Sequence, residues 1–175
     1  MDKARKQIGT FTSIGTNVRL GKDVKIWNFV YIGNDTKIGD KVILGSLSHI
    51  DYDVRVGSGT RIEGLAYVAP KCRIGKDAFI GPSATLTNDP YPKSARLEGV
   101  RVGDYAIIGA RAVVRAGIRV GRRSVVAMGA VVTRDVPANT VVAGTPARFI
   151  MKRSEYQEKR QAWEGKNKYS ARAHK

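Results

Sequence analysis

The chain has few of the groups that carry redox, metal and imidazole chemistry: its 175 residues include one cysteine and two histidines. Cys72 has no second thiol with which to close a disulfide, and it falls in a slot of small residues, so it reads as core packing rather than as a nucleophile. His174 lies in the tail, which leaves His49 alone among the repeats; three imidazole ligands for a zinc site cannot be assembled, and no metal is expected. Aromatic residues make up 7% of the chain and are not spaced along a basic surface, so the stacking platform of a single-strand binder is missing and nucleic acid is disfavoured as a partner. No run of about 18 apolar residues occurs, which excludes a membrane-spanning helix by this measure. The charged start MDKARKQ is unlike a signal peptide, and a cytoplasmic protein without a membrane partner is the expectation. Acidic residues are also scarce, 15 against 31 Lys plus Arg, and the net charge of +16 attracts anions such as nucleotide phosphates.

What the chain does have is an aliphatic residue at every sixth position. The series runs unbroken from Ile8 through Ile14, Leu20 and Ile26 to Leu86, and again from Val102 through Ile108 and Val114 to Val132. Helices and simple alternating strands do not give a period of six; a parallel β-helix does. The fifth slot of each hexad is small or β-branched, as in Val24, Thr36, Val42, Ser48, Cys72 and Ala84, and should point inward beside the aliphatic one. The position after the aliphatic residue is often Gly, as in Gly33, Gly39 and Gly45, which suits tight turning. Three hexads per coil give about six to seven coils at roughly 4.8 Å. Residues 1–150 form this solenoid, with an inserted loop at 87–101, and residues 151–175 a basic tail. Within the tail, Ser154 and Gln157 stand at capping-box spacing and open a short helix.

The hexads from Ile8 to about Arg148 resemble the hexapeptide-repeat acyltransferases, which implies an all-β, left-handed parallel β-helix. Two segments, IGPSATLTNDPYP and KIWNFVYIG, are similar to the N-acetyltransferases of nucleotide-linked amino sugars within that family. The resemblance implies acetyl-CoA as co-substrate, an amine of a small nucleotide-linked sugar as acceptor, direct attack on the thioester, and a homotrimer with each site between two subunits. Related O-acetyltransferases place a catalytic His before a Pro where this chain has Asp89 before Pro90. An amine with a pKa near 8 is already partly neutral and needs less help from a base than a hydroxyl does, so losing that His favours an amine acceptor.

The break in register between Leu86 and Val102 is the natural place for chemistry, because loops extruded from a rigid repeat carry function. The candidate catalytic residues are Asn88, to hold the acceptor in line with the thioester, and Asp89, to take a proton or bind the ammonium form; an Asx turn feeding Pro90 is the structural alternative. His49, in an outward slot, is the third candidate. By motif match, Gly109 and Ala110 would lie near the thioester, Ala127 and Met128 along the pantetheine arm, and Thr133, Arg134 and Arg148 near adenine and phosphates. Met128 stands where a smaller residue is common. Two other readings remain: O-acetylation through His49 or Asp89, and a non-catalytic basic β-helix that only binds.

Overall fold

The computed structural model describes residues 7–166, with the side chain of Lys166 outside it. Twenty strands of two residues each wind into a three-sided parallel β-helix. Face A starts at Gln7–Ile8, face B at Ser13–Ile14 and face C at Arg19–Leu20. Every third strand stacks in register 18 residues on, as Ile8 on Ile26 and Ile14 on Ile32. The last full coil takes Val125–Val126 and Val131–Val132 and returns to face C through a bridge between Val136 and Val120. Strand Thr140–Ala143 then adds a rung to face A, so the prism is slightly longer than the period alone predicts.

The aliphatic and fifth-slot residues fill the core as their spacing requires: Ile32, Leu44, Ile50 and Ile62 are fully buried, as are Val42, Thr36 and Cys72. Each such Ile or Leu contributes about 1.5–3 kcal/mol relative to exposure. Burial depends on having a neighbouring coil on both sides. Ile8 is 48% exposed and Ile14 38% in the first described coil, against 2% for Ile26 one coil on.

The glycines after the aliphatic residues do a different job from the expected turning. The left-handed backbone falls two residues later, at Asn17, Asp35, Leu47, Lys71 and their equivalents. Gly33 and Gly45 are needed because the coils approach so closely: a Cβ on Gly33 would stand 2.5 Å from the amide nitrogen of Tyr52, and one on Gly45 2.4 Å from that of Gly64. The turn is made by a non-glycine residue in the left-handed region, at a cost of about 1–2 kcal/mol each where the side chain is not Asn or Asp.

Face A ends in two longer strands. Arg148–Lys152 runs antiparallel to Thr140–Ala143 and leads into the helix Arg153–Lys166. The helix begins before Ser154: the main-chain N–H of Lys152 donates to Glu155 Oε1 at 3.2 Å, so the back-bonding carboxylate of the cap is Glu155 and not Gln157. Residues 167–175, including His174, lie outside the described residues.

Candidate functional site

The inserted segment leaves at the B/C corner. Thr87 still follows the ladder, its N–H donating to the carbonyl of Val114 at 3.1 Å, and the chain then departs. Asp89 organises the departure: its Oδ1 accepts the N–H of Tyr91 and its Oδ2 that of Ser94, each at 2.9 Å. The Asx-turn alternative is therefore realised at Asp89. The neck closes where the N–H of Glu98 donates to the carbonyl of Asn88 at 2.8 Å, leaving the Asn88 side chain without an internal hydrogen bond and half-buried at the loop base. Arg115 lies over the Tyr91 ring and ties the loop to face B.

His49 projects from face B between Tyr31 and Tyr67, with ring centroids 4.4 and 5.3 Å away. Asp51 organises this cluster. It accepts the hydroxyl of Tyr67 at 3.2 Å and stands 3.7 Å from His49 Nε2. Burial, and then the Asp51 carboxylate, push the Tyr67 phenol above its ordinary range. Thr85, the residue from which the loop is about to leave, sits two rungs above His49, about 10 Å away. Asp51 and Tyr67 escape sequence reasoning because their relation to His49 depends on stacking 16 to 18 residues apart; the spacing of Tyr31, His49 and Tyr67 by one coil length was the available signal.

The residues assigned to the coenzyme gather at the A/B corner. Gly109 and Ala110 lie one rung below Ala127 and Met128, and a Cβ on Gly109 would meet the Met128 nitrogen at 2.4 Å. In lower coils, the amide at the second position after the aliphatic residue is commonly capped from the next coil: Asn28 Oδ1 accepts from Thr10 and Asn34 Oδ1 from Thr16. At Ala110 the residue above is Met128, which offers no such oxygen, and the Ala110 N–H has no acceptor among the described residues. The Gly109 N–H, by contrast, is committed to Val126. Met128 is 80% exposed, so it forms a ridge at the corner rather than a plug in the core. Arg134 and Arg148 line one hollow of about 220 Å³ with Pro137 and Phe149; Thr133 is not among its lining residues.

Comparison with known sequences accounts for this repeat. The family described as bacterial transferase hexapeptide (six repeats) matches residues 17–52 and 53–88, and that described as hexapeptide repeat of succinyl-transferase matches residues 99–134. The chain belongs to the hexapeptide-repeat transferases. Among curated members of known activity, 2,3,4,5-tetrahydropyridine-2,6-dicarboxylate N-acetyltransferase of Staphylococcus aureus is 49% identical over 79 residues, which are 45% of this chain and 32% of that protein. The match thus spans about a third of the curated relative. Among solved structures, WeeI from Acinetobacter baumannii AYE superposes with a TM-score of 0.53 at 27% identity over 79% of this chain and 55% of its own. A mutant of GDP-perosamine N-acetyl transferase from Caulobacter crescentus, in complex with CoA and GDP-perosamine, gives a TM-score of 0.51 at 25% identity over 83% and 58%. Within this hexapeptide-repeat transferase, no described helix is long and apolar enough to cross a membrane.

Proposed function

We propose that this hexapeptide-repeat transferase moves an acetyl group from acetyl-CoA to an amine of a nucleotide-linked amino sugar. The observation that carries the reading is the uncapped N–H of Ala110 at a corner whose ascending residues lead to the hollow of Arg134 and Arg148. An extended coenzyme running along that corner would place its phosphates by the two guanidinium forks and its thioester carbonyl by a free main-chain donor. The amine nitrogen attacks the thioester carbon, the C–S bond breaks, and the proton lost by nitrogen ends on the departing sulfur. Asn88 orients the acceptor, and Asp89 fixes the loop that carries it. The bound GDP-perosamine of the Caulobacter relative supports a nucleotide-linked acceptor, and the Staphylococcus relative supports transfer to nitrogen.

Asn88 and Ala110 stand at opposite edges of face B, at the B/C and A/B corners. The width of one triangular side, roughly 15 Å at strand rise, separates them within one chain. A neighbouring copy brings the two edges together, and this supports a homotrimer with the site between subunits. O-acetylation is the second reading, favoured by the Asp51 carboxylate beside His49.

Thermal unfolding with acetyl-CoA and with its 3′-dephospho form tests the coenzyme assignment. Acetyl-CoA at 100 times its Kd should add about 2.7 kcal/mol of stability. No shift at saturating concentration, together with no acetyl transfer to an amino-sugar nucleotide, overturns the reading. Transfer to a hydroxyl that is lost in His49→Gln, with no transfer to amines, selects the second one.

A further inference from the structure

The outward position of every strand on face C is cationic: Arg19, Lys37, Arg55, Arg73, Arg101 and Arg119. The pairing registers place these six directly over one another, Arg19 on Lys37, Lys37 on Arg55, and so on to Arg101 on Arg119. Like charges directly opposite on neighbouring strands repel, and rungs about 4.8 Å apart lie well inside a Debye length of about 8 Å. Such a column costs stability unless something anionic covers it. Arg73 is engaged, with Nη2 at 2.9 Å from Asp53 Oδ1. The other five side chains make no ion pair or hydrogen bond among the described residues.

We propose that face C binds a single-file chain of phosphates lying along the helix axis, a site separate from the A/B corner and independent of the acyl-transfer reading. Three observations select this occupant. First, the column is one charge wide and bordered by carboxylates, with Asp35 and Asp53 on the B/C side and Asp40, Asp77 and Asp104 on the C/A side. A flat anionic membrane would press those carboxylates against its headgroups, whereas a narrow chain runs between them. Second, the cations flank continuous open grooves, one along Arg19, Lys37 and Arg55 and the next along Arg55, Arg101 and Arg119, and Gly75, Gly103 and Gly121 leave the second without side chains on its floor. Third, five of the six are arginines, whose forks pair bidentately with phosphate oxygens, and no aromatic ring stands in the column to stack a base. The five intervals span about 24 Å, enough for several consecutive phosphates.

The test uses the full chain, a short linear inorganic polyphosphate, a single-stranded oligonucleotide of equal charge, and phosphatidylglycerol vesicles, each at two salt concentrations. One triple variant carries Arg55→Gln, Arg101→Gln and Arg119→Gln; a charge-matched control carries Lys25→Gln, Arg61→Gln and Lys159→Gln. The expected result is salt-sensitive polyphosphate binding that the face C triple weakens at least tenfold and the control leaves within about twofold. The face C triple should also melt at a higher temperature than the parent in low salt without ligand, because the repulsion is relieved. Equal loss in both triples would reduce the effect to net charge and overturn the proposal. Tighter binding of the oligonucleotide, or capture by vesicles without polyphosphate binding, would reassign the face to nucleic acid or to membrane. A face C triple that changes oligomeric state in sedimentation while keeping parental polyphosphate affinity would make the column a subunit contact instead.

Discussion

Cys72 shows how much of a residue's chemistry its slot in the hexad decides. Burial pushes its thiol up to about 12, against an ordinary 9.0. A thiol reagent at pH 8 should therefore leave the folded protein untouched and modify it fully in denaturant; rapid labelling of the native state would contradict the core assignment. The sign of the pH effect follows. The folded thiol holds its proton more tightly than the unfolded one, so its contribution is complete below pH 9 and falls by about 1.4 kcal/mol per unit as pH rises toward 12. Cys72→Ala should remove that slope. Asn88 and Asp89, adjacent in sequence, should separate in experiment. Asn88→Ala should cut turnover tenfold or more with little change in acetyl-CoA affinity or melting temperature. Asp89→Ala should loosen the loop, seen as faster proteolysis between residues 90 and 98, because it removes both acceptors that hold Tyr91 and Ser94. The sequence shows that two polar residues sit at the break; it does not show which of them the backbone has already claimed, because that depends on where the loop returns.

At the scale of the strand and its turn, the period places nearly every inward residue, from Val24 to Val132, because an inward slot admits only apolar or small side chains. The corners are less legible. Glycine frequency points to the wrong residue for the left-handed turn, since close approach between coils selects glycine more strongly than φ does. Gly33→Ala should accordingly cost about 1–3 kcal/mol through overpacking. Gly165→Ala, in the exposed last helical turn with nothing within 4 Å of a new Cβ, should be neutral or stabilising. Urea unfolding of both variants measures the difference, and equal midpoints would refute the packing argument. The helix start is missed by two residues for a local reason: Glu155 offers a better back-bonding acceptor to Lys152 than Gln157 offers to Ser154.

For the whole molecule, the separation of Asn88 from Ala110 across one face makes a quantitative prediction. Subunits carrying Asn88→Ala and subunits carrying Arg134→Ala with Arg148→Ala should each be nearly inactive. Mixed in equal amounts after unfolding and refolding, they should regain about one quarter of parental activity, the fraction of shared sites that draw an intact edge from each side. No recovery would mean that each chain builds its site alone. Fold class was legible at this scale because a solenoid repeats one local rule. The cationic column of face C was not, because its members are 18 or 28 residues apart and only the register of the coils lines them up.

The loop between Leu86 and Val102 spans 16 positions where six would continue the coil, yet the rungs on either side pair as if nothing had been added. Its neck is drawn closed by one contact between Glu98 and Asn88, and everything between hangs outside the ladder. The prism therefore behaves as a chassis and the loop as an exchangeable cartridge: lengthening, shortening or swapping residues 90–97 can change which acceptor is admitted while the coils, their core and the corner of Ala110 keep their places. Variation in acceptor choice can accumulate at that one opening, insulated from the demands of folding.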